Sequence, residues 1–207
     1  MGYNIFLWFC ICYIVYNLIK DPSRIRGLKH TATLWILIVN IIIFGLTLGG
    51  HLFINFMGNS FYYTIKHLQL YRLLTSMFYH AGIMHIFCNS LSLINIGLST
   101  EMLMGKKKML IAYFSTGIIG GLISIIIHTL IGNPVISVGA SGAICGLMGV
   151  IISSLTGDRI SKLQTAFVAM LPLIIIGFSG GGIDNIAHFT CFFVGIPIGH
   201  MLKRVKL

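Results

Sequence analysis

Two long stretches without a charged side chain most constrain the fold of this chain. No Asp, Glu, Lys or Arg occurs between Lys29 and Lys66 or between Lys108 and Asp158. Overall, 57% of the 207 residues are hydrophobic and 9% are charged, whereas soluble domains carry roughly 25% charged residues. A bilayer-crossing helix needs roughly 20 mostly apolar residues, so the second stretch can hold two helices. The sequence therefore predicts an all-α polytopic membrane protein.

Seven membrane-spanning helices account for the apolar segments. We place them at residues 3–19, 33–56, 82–103, 109–130, 137–156, 164–180 and 184–202. The first segment lacks a basic leader and a clear cleavage site, so we expect a retained anchor rather than a signal peptide. We therefore divide the chain into residues 1–30, an N-terminal membrane anchor helix with a basic cytoplasmic linker, and residues 31–207, which hold the other six helices.

The basic side chains predict the orientation in the membrane. Most of them fall in four clusters, each separated from the next by one or two spans: Lys20, Arg24, Arg26 and Lys29; Lys106, Lys107 and Lys108; Arg159 and Lys162; Lys203, Arg204 and Lys206. This positive-inside pattern places the clusters and the C-terminus in the cytoplasm. The net charge of +10 is then explained by basic residues beside a lipid bilayer, which is the expected partner. Nucleic-acid binding is disfavoured.

A serine and a histidine lie near the start of two of these spans. Ser141 lies in the run Gly139-Ala140-Ser141-Gly142-Ala143, and His188 follows the start of the last span. Both spans run inward, so the two side chains share a depth near the outer face. A hydroxyl in a membrane helix commonly bonds to its own helix, but one within about 3 Å of an imidazole is an activated nucleophile.

Small residues on both spans favour such a contact. They are Gly142, Cys145, Gly146 and Gly149 on one span and Cys191, Gly195 and Gly199 on the other. Small residues four positions apart allow membrane helices to approach backbone to backbone. The pattern alone indicates only packing, but its presence on both spans predicts that they pack against each other.

A third pair of polar residues lies near the outer end of span 82–103. His85 and Asn89 are four residues apart and so project from one face of a helix. An acyl-transfer site needs hydrogen-bond donors where the carbonyl oxygen becomes negative. These side chains, with the backbone N–H of Ser141, could supply them. Hydrogen bonding to neighbouring helices is the alternative.

Taken together, the serine between glycines, the later histidine and the earlier His-x-x-x-Asn resemble the rhomboid family of intramembrane serine proteases. The resemblance covers roughly residues 31–207 and extends to further positions: Gly146, Gly149, Gly195, His80, Arg72, and Glu101 four residues before Gly105. It implies a six-helix rhomboid core, so that residues 31–207 would form the rhomboid protease domain and residues 3–19 one extra N-terminal transmembrane helix.

The resemblance also implies a mechanism. Ser141 would be the nucleophile and His188 the general base of a Ser–His dyad, with no metal or cofactor. His85, Asn89 and the Ser141 backbone N–H would form the oxyanion hole. The supporting residues would be Gly139, Gly142, Arg72 and Glu101. Asp184, four residues before His188, is left open as a third member.

The implied function is an intramembrane serine endopeptidase of the cell membrane, opening to the outer face and acting on transmembrane protein substrates. A catalytically silent rhomboid-like protein that binds transmembrane helices is the alternative, and the sequence does not fix the oligomeric state.

Three positions depart from the family: Tyr71 replaces a Trp, Cys145 replaces an aromatic residue that stacks on the imidazole, and Cys191 replaces a Gly. The remaining histidines, including His128, have no matching partner, and we expect them to be interfacial or packed.

Overall fold

The computed structural model describes residues 20, 27–48, 53–155 and 184–205. The predicted spans 3–19 and 164–180 lie outside the described residues. Within the described part the regular structure is helical, apart from an isolated β-bridge between Asn59 and Ser137.

Helices make up most of the described chain. They are α1 at Ala32–Thr47, followed after a short connection by α2 at Ile54–Met57, and then α3 at Arg72–Thr75, α4 at Ile83–Met104, α5 at Lys106–Leu130, α6 at Ser141–Ser154 and α7 at Asn185–Arg204. Two of these, α2 and α3, are single turns, and a π-helical turn at Phe61–Lys66 lies between them. Helices α4, α5 and α7 are long and apolar enough to cross a membrane, while α1 and α6 are shorter apolar helices.

The predicted spans 82–103, 109–130 and 184–202 agree with α4, α5 and α7 to within a few residues. The prediction for 33–56 was wrong at its end, because α1 stops at Thr47. Leu48 takes the left-handed conformation, with φ of 49°, and this ends the helix. Gly49 and Gly50 follow in the sequence.

The prediction for 137–156 was wrong at its start, because α6 begins only at Ser141. Ser137 exchanges two backbone hydrogen bonds with Asn59, of 3.0 and 2.8 Å. Gly139 has φ of 111°, a conformation that right-handed helices exclude and that favours glycine. The segment before Ser141 is therefore an extended strand-like piece held by the connection between α1 and α4.

Helices α6 and α7 pack backbone to backbone through glycine. A Cβ atom added at Gly149 would overlap the carbonyl oxygen of Phe192, and one added at Gly195 would overlap that of Gly146. Along the contact, Gly142 faces Cys191, Gly146 faces Gly195 and Val150 faces Gly199, so α6 and α7 run parallel. The predicted mating of these two small-residue faces is confirmed.

Helix α5 completes this packing at the cysteine that departs from the family pattern. A Cβ at Gly120 of α5 would lie 2.5 Å from the Cα atom of Cys191, and one at Gly142 would lie 3.2 Å from its Sγ atom. The Cys191 side chain is buried. It is therefore accommodated because glycine faces it from both α5 and α6.

Glu101, on α4, joins that helix to the start of α1. Its carboxylate accepts hydrogen bonds from the Ala32 N–H at 2.9 Å and from the Thr33 N–H at 3.0 Å, and also from the Thr33 hydroxyl at 2.9 Å. The first N–H groups of a helix have no partner within the helix, so Glu101 caps α1 from a neighbouring element. Its supporting role for the site remains a prediction.

We expect Gly195→Ala to destabilise the protein by about 1–3 kcal/mol, the usual cost of overpacking, because the added methyl group meets the Gly146 backbone. Gly45→Ala is the matched control, since a Cβ there meets nothing within 4 Å. Thermal unfolding in detergent measures both. Equal melting temperatures for the two variants would contradict the backbone contact between α6 and α7.

Candidate active site

Ser141 and His188 meet at the N-terminal end of the α6–α7 contact. The Ser141 Oγ atom lies 2.7 Å from the His188 Nε2 atom, within the range at which a base can activate a hydroxyl. Ser141 is the first residue of α6, so its backbone N–H has no partner within the helix. The two residues that the sequence singled out are thus brought together on neighbouring helices.

His188 is almost fully buried, at 5% exposure. Its Nδ1 atom has no hydrogen-bond partner in the part of the chain that the structure describes. In a Ser–His–Asp triad an acid bonds to this nitrogen. Asp184 instead bonds to His128 and Ser137. The described residues therefore form a pair rather than a triad.

Cys145 lies where the family has an aromatic residue, so this position supplies no ring to stack on the His188 imidazole. It is buried and packs with Ile152 and Phe192. Within the described ranges, no aromatic ring contact to His188 is found. The orientation of His188 therefore depends on the packing of α7 and on its hydrogen bond to Ser141.

His85 points a ring nitrogen at the segment that leads into Ser141. The Ala81 N–H donates to its Nδ1 atom at 3.4 Å, so in the neutral ring the hydrogen lies on Nε2. A Cβ atom at Gly139 would lie 2.6 Å from this Nε2 atom. Gly139 is therefore required twice, by its backbone conformation and by the imidazole beside it.

Asn89 lies one turn further along α4 and is buried, at 6% exposure. Its Nδ2 atom donates to the His85 carbonyl oxygen at 2.8 Å. The amide group carries a second N–H. Asn89 is thus bonded back to its own helix at His85, and the oxyanion role of the two side chains stays a prediction.

His80 also holds the segment that leads into Ser141. Its Nδ1 atom bonds to the Phe78 carbonyl oxygen at 3.1 Å, and its Nε2 atom accepts from the Ala140 N–H at 3.4 Å. Its ring contacts that of His85 edge to face, with centroids 5.1 Å apart. Burial, and then the neighbouring His85, lower the pKa of His80 to about 4. The ring is therefore neutral at physiological pH.

Arg72 supports the connection between α1 and α4. Its Nε atom donates to the Gln69 side-chain oxygen at 2.6 Å and its Nη1 atom to the Gly58 carbonyl oxygen at 3.0 Å. The guanidinium carbon lies 4.3 Å from the centre of the Tyr63 ring. These contacts lie in the connection itself, and Glu101 lies near the opposite end of α4 from His85. Neither residue contacts Ser141 or His188.

Sequence reasoning missed a polar cluster beside the pair. His128 was expected to lack a partner, and this was wrong, because its Nε2 atom lies 2.7 Å from the Asp184 carboxylate. Burial alone would raise the pKa of Asp184, but hydrogen bonds, first from His128 and then from Ser137, outweigh it and lower the pKa below its usual value. A histidine and an aspartate predicted at the same outer depth are the signal that could have revealed the contact.

Comparison with known proteins assigns the fold. The family model of the Rhomboid domain matches residues 67–205. The chain belongs to the rhomboid family. This rhomboid is accordingly a multi-pass membrane protein, in agreement with its long apolar helices.

Individual relatives cover part of this rhomboid. It is 25% identical over 149 residues to Rhomboid-like protease 3 of Toxoplasma gondii, covering 69% of this chain and 55% of that protein. It is 34% identical over 141 residues to Rhomboid protease GluP of Bacillus subtilis, covering 62% and 27%. It is 33% identical over 128 residues to Inactive RHOMBOID-like protein 8 of Arabidopsis thaliana, covering 60% and 36%. The chain thus spans about half the length, or less, of these relatives.

We expect the stability of this rhomboid to fall as the pH decreases from about 6.5 towards 4. A buried neutral histidine binds protons less readily than the same residue in the unfolded chain, so acid favours unfolding over this interval. His80→Gln should flatten the dependence of melting temperature on pH, and His200→Gln, an exposed position, is the control. An unchanged slope in His80→Gln would contradict the neutral, buried state of His80.

Proposed function

We propose that this rhomboid is an intramembrane serine endopeptidase that cleaves transmembrane-anchored proteins through a Ser141–His188 dyad. The observation that carries the proposal is the 2.7 Å contact between the Ser141 Oγ atom and the His188 Nε2 atom. It occurs on buried, close-packed helices of a membrane protein, where a hydroxyl would otherwise bond to its own helix.

In the first half of the reaction, the Ser141 Oγ atom attacks the carbonyl carbon of the scissile peptide bond. The hydroxyl proton passes to the Nε2 atom of His188, which acts as general base. When the tetrahedral intermediate collapses, the peptide C–N bond breaks and His188 gives this proton to the leaving amine. The product is an ester between Ser141 and the N-terminal part of the substrate.

In the second half, water attacks this ester. His188 removes a proton from the water and then returns it to the Ser141 oxygen as the ester bond breaks, which releases the carboxylate product. Because the two helices hold Ser141 and His188 together before the substrate binds, little reorganisation is needed at either step.

The negative charge on the substrate oxygen would be stabilised from three directions. The Ser141 N–H at the start of α6 is one donor, and the helix dipole adds to its effect. The Nε2–H of His85 and the remaining N–H of the Asn89 amide are the others. A preorganised donor of this kind contributes roughly 100- to 1000-fold to the rate of acyl transfer.

The orientation in the cell membrane follows from where the basic residues lie on the helices. Lys203 and Arg204 are at the far end of α7 from His188, and Lys106 is at the start of α5, far from His128. The positive-inside rule then places these ends in the cytoplasm and the dyad towards the outer face. Substrates would be cut near the outer end of their transmembrane segments.

A catalytically silent protein that binds transmembrane helices is the alternative. One relative carries the word inactive in its name, while two others are named as proteases. The hydrogen-bonded pair of Ser141 and His188 favours the protease. A silent protein would need neither residue for binding.

We predict that the purified protein, reconstituted in liposomes, cleaves single-span reporter proteins that carry a fluorescent domain outside the bilayer. Ser141→Ala and His188→Ala should each reduce cleavage to background, because each removes half of the proton-transfer pair. Ser154→Ala is the matched control, since Ser154 lies at the other end of α6 and its hydroxyl bonds to the Val150 carbonyl. Cleavage that persists in Ser141→Ala would refute the protease. Reporters that are bound but left intact would favour the silent alternative.

We predict that Asn89→Ala lowers kcat by roughly 100- to 1000-fold with a small change in KM, because an oxyanion donor acts chiefly in the transition state. Asn40→Ala is the control: Asn40 is also buried and also has a side-chain oxygen without a partner among the described residues, but it lies on α1. Equal losses in the two variants would mean that Asn89 acts through stability alone.

A further inference from the structure

We propose that Asp184 is a positioning residue that fixes the distance between Ser141 and His188. This inference rests on the proposed function, because it concerns the reactivity of that pair. Asp184 lies one helical turn before His188 and binds Ser137, which lies four residues before Ser141.

On the α7 side, Asp184 is rigidly tied to His188. Its Oδ1 atom accepts the Ala187 N–H at 2.9 Å, and its carbonyl oxygen accepts the His188 N–H at 3.2 Å. Asp184 is therefore the N-cap of α7, with a side chain of the type that helix starts prefer. Any shift of the carboxylate moves the first turn of α7, and with it the imidazole.

On the α6 side, the same carboxylate holds the segment that leads into Ser141. The Ser137 hydroxyl donates to Oδ2. Ser137 itself is paired through its backbone with Asn59, and the Gly139 N–H donates to the Ser76 carbonyl at 2.8 Å. The segment is thus fixed to the connection before α4 on one side and to α7 on the other.

Helix α5 supplies the third anchor. The His128 Nε2 atom lies 2.7 Å from Oδ1 of Asp184, and its Nδ1 atom lies 3.1 Å from the Asn133 carbonyl oxygen. His128 therefore joins Asp184 to the end of α5 and to the turn that follows it. Both side chains are largely buried, with exposures of 7% and 16%.

The carboxylate is saturated by these contacts. Oδ1 accepts from Ala187 and His128, and Oδ2 accepts from the hydroxyls of Ser137 and Ser124, the latter at 3.4 Å. A carboxylate has about four acceptor sites. Asp184 therefore has no site left for His188, and it acts through the backbone elements that it joins rather than as a third member of a proton-transfer triad.

The hydroxyls of Ser137 and Ser124 both donate to the Oδ2 atom of Asp184, and this allows a matched test. Ser137→Ala removes the link to the segment before Ser141 and leaves the cap and the contact with His128 in place. Ser124→Ala removes a hydroxyl from the same Oδ2 atom, but that hydroxyl belongs to α5. The measurement is the inactivation of each detergent-solubilised variant by a fluorophosphonate, resolved into the limiting rate kinact and the concentration for half-maximal rate, with the melting temperature recorded alongside.

We expect Ser137→Ala to lower kinact by roughly 10- to 100-fold, the effect of a misplacement of about 1 Å, with little change in the half-maximal concentration. Ser124→Ala should stay within about twofold of the parent protein. Asp184→Asn keeps an oxygen for the cap and should lose less than Asp184→Ala. A merely structural role would lower the melting temperature and leave kinact of the folded protein intact.

Equal kinact values for Ser137→Ala, Ser124→Ala and the parent would overturn the positioning role. Losses of kinact that all track the loss of melting temperature would overturn it as well. If Asp184→Ala fails to fold, the comparison of the two serines still decides. A parent protein that does not react with the fluorophosphonate would instead refute the proposed function, and with it this inference.

Discussion

The backbone contact between α6 and α7 is the constraint on which the rest of the site depends. Helices that pack through large side chains lie further apart, whereas here the Ser141 Oγ atom and the His188 Nε2 atom of neighbouring helices lie 2.7 Å from each other. Here Gly149 and Gly195 replace side chains with backbone contacts. In a lipid environment close van der Waals packing of this kind is a principal source of helix association. The same glycines therefore stabilise the fold and bring the two helices close enough for the contact between Ser141 and His188.

The polar groups that hold the segment before Ser141 lie in the connections between helices rather than within the helices. His80 accepts the Ala140 N–H, and Asp184 binds Ser137. These bonds fix the extended segment that precedes Ser141. The helices supply the depth and the close approach, whereas the connections supply the orientation of the nucleophile. A buried polar network of this type is costly when only partly satisfied, which agrees with the four hydrogen bonds that the Asp184 carboxylate accepts.

The sequence predicted the long helices and the meeting of Ser141 with His188, because both depend on local information. Charge-free length defines the spans, basic clusters give their direction, and repeated small residues identify the faces that touch. The sequence failed where an element is ended or held by a distant one. The start of α6 depends on the pairing of Ser137 with Asn59, and the partner of His128 lies 56 residues further on. Neither contact leaves a periodic pattern, so neither could be read from spacing.

Reaction with a fluorophosphonate, followed by mass spectrometry of the peptides, tests the activation of Ser141 most directly, because it needs no knowledge of the natural substrate. We expect one adduct per chain, on Ser141, in the parent protein. We also expect loss of that adduct in His188→Ala, measured at a temperature where the variant is folded. An adduct on another residue, or equal labelling of Ser141 without His188, would contradict the claim that close packing of α6 and α7 creates an activated serine.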